Sequence, residues 1–439
     1  MQEEKFEVRV PTYQLESLFV SSSQAMDWGL KQTKANELWK LSKGEGVTVA
    51  VLDTGCPAQK QKDGSVKIHP DLANNILLDK CKSFVPTEDV YDAQGHGTAT
   101  AGVIAAEDNL LGFVGYAPEA KIICYKVLNN YGAGSLKWIE RALEECIKVK
   151  PDIVSMSLGS HSGSDGISNA IKKLDSMGIP VICAAGNEGK SGGVNYPAWL
   201  PESFAIAAYD DRMNIADFSA IGDQVDFAFP GVDINTTWLK GGYTVISGTS
   251  FACPSCSGVV ALILSYHKKN GTIPNAKNTM WIYNELKKCA TNPKKLKSKT
   301  ADWGWGFIDT TKLFANASAL NHWDIYSLAK QFNLSDASIL DSQSDSTLSS
   351  LCSSDAMYSV SEHFLEYHHM FVPAFLIFVT NRFEEMEFEK NRMILKENMQ
   401  KIIRFKYSWY NPKRYSMLLW ANRRIKTFEC SDQTDQDQS

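Results

Sequence analysis

The sequence predicts a three-layer α/β/α fold with a mostly parallel central sheet, plus an uncharacterised C-terminal extension. Three observations lead there. The runs VTVAVLD (47–53) and KIICYKVL (121–128) are nearly continuous apolar, β-branched segments. Between such runs lie stretches with apolar residues at helical spacing. The alternation then recurs along the chain. Strands that are apolar on both sides, separated by helices, indicate a parallel sheet covered on both faces.

The elements follow in order. Residues 1–24 are short and polar-mixed, with Pro11 and a Ser21-Ser22-Ser23 run. The run 47–53 is the first buried strand and 121–128 the second. Over 135–149, Leu136, Ile139, Ala142, Leu143, Cys146 and Ile147 share one helical face, with Ser135 placed to cap it. Residues 152–157 and 178–185 repeat the strand theme. The pattern fades near 320. Residues 331–357 are rich in Ser and Asp and read as a linker. Residues 358–428 turn aromatic and charged again, before a polar end.

Composition narrows the function. The chain has 439 residues, about three domains' worth at roughly 150 residues each. Charged residues make up 22%, which argues against wholesale disorder. Lys plus Arg number 45 against 50 Asp plus Glu, so a globally basic nucleic-acid binder is excluded. No uninterrupted apolar run reaches the roughly 18–20 residues of a spanning helix. The longest, 370–379, contains Pro373. The N-terminus MQEEKFEVRVPTYQ is charged where a secretory leader is apolar, so a cytoplasmic protein is expected, or a secreted one if the start is incomplete. Of the ten cysteines, Cys124 and Cys183 lie in strand-like runs and Cys146 on a helix. Free thiols in a reducing compartment are expected there.

Four short segments sit where strands end or helices begin. They are Asp53-Thr54-Gly55, Gly95-His96-Gly97-Thr98, Ala184-Ala185-Gly186-Asn187 and Gly248-Thr249-Ser250. Together they supply a carboxylate, an imidazole, an amide and a hydroxyl, the parts that acyl transfer needs. A serine hydroxyl is a weak nucleophile until an imidazole takes its proton. The imidazole needs a carboxylate on its other nitrogen. The oxyanion needs donors aimed at it.

In this order the sequence resembles the subtilisin-like serine proteases (the subtilase family), and its N-terminal extension resembles that of the intracellular subtilisins. The resemblance covers 25–320, the expected peptidase domain. It rests on VAVLDTG, HPDL, GHGTATAG, GYAPEAKI, VSMSLGS, ICAAGNEG, NYPA, GTSFACP and GWGFIDTTKLF. It implies a serine endopeptidase of broad specificity that acts on protein or peptide substrates. Asp53 would orient His96, His96 would act as general base and acid, and Ser250 would be the nucleophile. Asn187 would share the oxyanion with the Ser250 N–H. A peptide strand would lie between Gly132-Ala133-Gly134 and Ser157-Leu158-Gly159. Ala184, Ala185 and Gly186 would line an apolar, roomy pocket. A structural calcium ion is implied at Gln24, Asp71 and Asn109, with carbonyl oxygens of Glu107, Leu111 and Phe113. The chain departs from the family at Ala99 and Ser255, where histidines are usual, and at Phe251, where methionine is. Cys253 and Cys256 follow closely.

The resemblance also bears on the ends. Residues 1–24 resemble the short autoinhibitory extension of intracellular subtilisins, with Val8, Val10 and Tyr13 as an added strand and Pro11 spoiling the scissile geometry. The extension 358–439 has no counterpart in the family core. Over 398–428 it carries eight Lys or Arg and no Asp or Glu, among Tyr and Trp. A partner or an anionic surface could bind there, with no specific nucleic acid expected. The rival to catalysis is a catalytically silent scaffold that captures peptides.

Overall fold

The structure, a computed structural model, describes residues 6–313 except 22, 275–277, 294 and 296. The linker 331–357 and the extension 358–439 lie outside the described residues.

Nine strands form the central sheet, and the apolar runs supply its middle. Across the sheet the order is Ala290–Thr291, Phe307–Ile308, Val225–Pro230, Ser203–Tyr209, Val181–Ala184, Ile153–Met156, Thr48–Asp53, Lys121–Lys126 and Lys82–Ser83. Every neighbouring pair is parallel except the first. Register is set by burial on both sides: Val49, Ala50, Val51 and Leu52 are each no more than 2% exposed.

The two faces are covered by different helices. Helices Leu136–Val149 and Asp165–Ser176 close one face, packing Ile139, Leu143, Ile167 and Ile171 on Ala50, Leu52, Val154, Met156 and Val181. Each has a serine cap: Ser135 accepts from Lys137 N, and Ser164 from Ile167 N. The helices His96–Ala105 and Thr249–Lys269 cover the other face. There Ser257 Oγ donates to Ser155 Oγ at 2.9 Å. Helix Thr249–Lys269 is long and apolar enough to cross a membrane, yet 94% of its apolar window is buried inside the protein. It is the core helix of this fold.

This arrangement positions the chemistry. Asp53 ends one central strand, and Asn187 follows another closely. Gly132 and Ser157 follow two more. His96 and Ser250 stand in the first turns of the two helices beneath. Side chains from distant segments therefore meet at the carboxyl edge of the sheet, where parallel α/β sheets hold their ligands.

Candidate active site

The Asp53 carboxylate is 1% exposed and lies against the His96 ring, with Nδ1 2.8 Å from Oδ1 and 3.0 Å from Oδ2. A carboxylate only accepts, so Nδ1 carries the proton and Nε2 is left as the basic nitrogen. Thr54 N donates to Asp53 Oδ1 at 2.7 Å. His96 Nε2 and Ser250 Oγ are both buried and make no hydrogen bond, to each other or to any other group. Such bonds often tighten only when substrate binds.

Asp92 organises the turn before His96. Its Oδ1 accepts from Thr54 Oγ1, Gln94 N and Gly95 N, and its Oδ2 from Thr98 N and Oγ1. Five donors thereby tie the Asp53 turn to the His96 helix. The motif Asp92-Ala-Gln-Gly95 carries the sequence signal for this, an Asp whose oxygens meet nearby backbone N–H groups.

Ser250 is positioned by an exception in its helix. Its carbonyl would accept from the residue four positions on, but that residue is Pro254, which has no N–H. Ser157 Oγ donates to the Ser250 carbonyl instead, at 2.8 Å. The Asn187 amide is aimed from its other end. Its Oδ1 accepts from Thr249 N at 2.9 Å and from Thr249 Oγ1 at 2.6 Å, so Nδ2 faces the groove. Phe251 stands beside His96, with ring centroids 5.6 Å apart. Cys253 is fully buried, and burial pushes its thiol up to about 11.

The groove holds the chain's own N-terminal segment. Strand Val8–Arg9 runs antiparallel to Ala133–Gly134, with Glu7 N donating to Gly134 O and Val10 N to Gly132 O. On its other side Arg9 and Gly159 exchange two N–H···O bonds of 3.1 Å each. The segment is thus a middle strand between the two edges. Val8 is 1% exposed, whereas Arg9 points to solvent. Pro11 is buried. The Thr12 carbonyl accepts from Asn187 Nδ2 at 2.6 Å. Tyr13 lies on His96 with centroids 5.4 Å apart, and its hydroxyl accepts from Gln94 Nε2. Gln94 Oε1 in turn accepts from His96 N. Beyond the groove, Gln14–Phe19 pairs with Gly242–Ser247.

Ala184 and Ala185 lie buried at the end of their strand, and Gly186 turns the chain toward Asn187 with φ of 119°. The expected apolar pocket is amended here. A Cβ at Gly186 would come within 2.6 Å of both Asn195 Nδ2 and Glu188 Oε2, and one at Gly159 within 3.0 Å of Asn195. Asn195 Nδ2 donates to both Glu188 oxygens at 3.1 Å. A polar pair therefore borders the space between Gly159 and Gly186.

The residues expected to hold calcium also come together. Gln24 Nε2 donates to the Glu107 carbonyl at 2.8 Å. Phe113 N donates to Asp71 Oδ2, and Glu107 N to the Asp71 carbonyl. Asn109 Oδ1 accepts from Leu111 N within the loop. The Glu107 carboxylate faces elsewhere, bonded to Asn74. Asp71 is fully buried, and burial pushes its carboxyl up to about 6. Its Oδ1 has no hydrogen-bond partner. The loop is sharply turned: Leu110 takes φ of 72°, and a Cβ on Gly112 would strike the Tyr243 ring.

Comparison with known proteins agrees with this architecture. Residues 44–306 match the subtilase family. Subtilisin NAT of Bacillus subtilis subsp. natto is 39% identical over 251 residues, 56% of this chain and 62% of that protein. The major intracellular serine protease of Bacillus subtilis is 37% identical over 268 residues, 57% of this chain and 81% of that one. The intracellular serine protease of Paenibacillus polymyxa is 38% identical over 244 residues, covering 54% and 72%. The chain spans about 62% of the length of Subtilisin NAT.

Proposed function

The chain belongs to the subtilase family, and on that premise we propose that it is a serine endopeptidase held silent by its own N-terminal segment. The observation that carries this reading is the 2.6 Å contact between the Thr12 carbonyl and Asn187 Nδ2, made by a strand paired on both sides within the groove. That is the pose of a substrate carbonyl presented to an oxyanion donor.

In the proposed mechanism Ser250 Oγ attacks the scissile carbonyl carbon as His96 Nε2 takes its proton. Asp53 holds the ring and stabilises its charged form. The oxyanion is met by Asn187 Nδ2 and the Ser250 N–H. The proton on Nε2 then passes to the leaving amine, and water repeats the cycle on the acyl-enzyme. The Gly132–Gly134 and Ser157–Gly159 edges bind any extended peptide through its backbone, which supports broad specificity. Glu188 and Asn195 temper the pocket formed with Ala184, Ala185 and Gly186.

The N-terminal segment uses the same contacts. Tyr13 covers His96, and Pro11 offers no N–H to either edge. Its hold explains a silent state without any change in the catalytic residues. The two relatives named as intracellular, together with eight described cysteines that are all unpaired, support a reducing compartment.

Calcium fits the loop at 107–113. The buried, unpartnered Asp71 Oδ1 needs a cation or a proton, and the remaining donors are hard oxygens. Asp71, Asn109, Gln24 and the Glu107, Leu111 and Phe113 carbonyls would hold the ion, with the Gln24 amide turned to present Oε1. The ion would supply charge compensation, tying the loop to the His96 helix and to the segment that follows the groove.

The deciding experiment is labelling with a fluorophosphonate probe. The chain freed of its first 20 residues is expected to label, and the same chain with Ser250→Ala is not. Equal labelling of both would overturn the assignment of the nucleophile. No labelling of either would favour the silent scaffold.

A further inference from the structure

Three thiols converge beside the catalytic turn. The Sγ atoms of Cys56, Cys81 and Cys124 all lie within 4.8 Å of one another. They come from separate elements. Cys56 follows Asp53-Thr54-Gly55 and is fixed by bonds from its N–H to Val90 O and from Asp92 N to its carbonyl. Cys124 is the centre of strand Lys121–Lys126, directly opposite Val51. Cys81 ends the short helix Leu78–Lys80, where its Sγ accepts from Cys124 N at 3.2 Å. Cys56 and Cys124 are at most 1% exposed, while Cys81 is partly open and offers an entry path. The other five described thiols do not form such a group.

We propose that Cys56, Cys81 and Cys124 form a trigonal thiolate site for a soft monovalent cation, copper(I).

The donor set selects the ion. Thiolates suit soft metals, whereas calcium and magnesium take oxygen ligands. A structural zinc ion takes four ligands. Among the described residues the group holds three cysteines and no further Cys, His, Asp or Glu. The nearest catalytic-loop carboxylate, Asp92, is already saturated by five donors. A third sulfur distinguishes the group from a disulfide pair, which would leave one thiol idle. Lys126, two residues beyond Cys124 on the strand, is fully buried and already committed, to Glu88 at 3.2 Å and to the Thr54 carbonyl. Loading forms three copper–sulfur bonds, sends the thiol protons to solvent and changes no oxidation state. Because Cys56 is bonded to Asp92, a loaded site would also brace the turn that carries Asp53.

The test uses the full chain with Ser250→Ala, which cannot digest itself, reduced and kept anaerobic. Copper(I) is delivered from bathocuproine disulfonate, and retained metal is measured against this chelator. The expected result is one copper retained, three sulfur neighbours by X-ray absorption, and a rise in melting temperature. Cys56→Ser, Cys81→Ser and Cys124→Ser should each weaken binding by more than the roughly 10–100-fold that loss of an outer-sphere partner costs. Cys146→Ser, a buried thiol outside the group, should bind as the parent does. No retained copper would overturn the proposal. So would two or four sulfur neighbours, retention indifferent to the three serines, or a Cys–Cys disulfide in thiol-trapped protein fresh from cells. If the serine variants fail to fold, the sulfur count and thermal shift of the parent chain decide.

Discussion

Asn187 Nδ2 donates to the Thr12 carbonyl at 2.6 Å, so the amide proposed to stabilise the oxyanion is occupied by the chain's own peptide. The donor is preorganised, because Thr249 holds the amide's other end through two bonds. On the proposed reading, one geometry would serve both silence and catalysis.

In the chain freed of its first 20 residues, Asn187→Ala should leave KM for a short peptide nearly unchanged. It should lower kcat by about 10²–10³, the cost known for this family's amide donor. Steady-state kinetics check this, and an unchanged kcat would remove Asn187 from the oxyanion site.

A chain beginning at Ser21 should hydrolyse a small chromogenic peptide faster than the full chain. It lacks the strand on both edges and the Tyr13 ring over His96. Added back as a free peptide, residues 6–19 should inhibit it competitively. Equal rates for the two chains would end the autoinhibitory reading.

Ser157→Ala leaves the Ser250 carbonyl without a donor, since Pro254 cannot supply one. A buried acceptor left unpaired costs about 1–3 kcal/mol. The melting temperature should fall by about 2–4 °C for each kcal/mol in a domain this size. The turnover of the truncated chain should fall with it as the Ser250 turn loosens. A variant as stable and as active as the parent would show that the bond positions nothing.

EDTA should lower the melting temperature, and added calcium should restore it. In Asp71→Asn that response should be lost, because the substitution removes the carboxylate proposed to face the ion. A parent chain indifferent to EDTA would leave the loop without a structural ion.

Much of the fold was legible because burial on both sides of a strand leaves a plain trace. VTVAVLD and KIICYKVL became neighbouring strands with bounds within a residue or two. Ser135 caps the helix its spacing suggested. The segment Gln14–Phe19 was not legible, because an edge strand with mostly exposed side chains has no apolar alternation to show. Within the site, residue types and order brought Asp53, His96, Asn187 and Ser250 into view. The supports of these residues stayed hidden. Asp92 and Gln94 meet nearby backbone N–H groups, but the Ser157 hydroxyl and Thr249 reach Ser250 and Asn187 from far away in sequence, and no spacing rule marks such a bond. Cys56, Cys81 and Cys124 come from separate segments, so no spacing in the sequence marks their meeting.

The doubly paired strand in the groove is joined to the domain by only a few residues of chain. A short tether holds its segment at an effective concentration in the millimolar range. A free peptide at micromolar levels is outnumbered roughly a thousandfold and cannot displace it by mass action. On the proposed autoinhibited reading, substrate supply would be a poor throttle, and the output would be set by whether the tether has been cut, an event that is not reversed, so each molecule would carry a record of its own past.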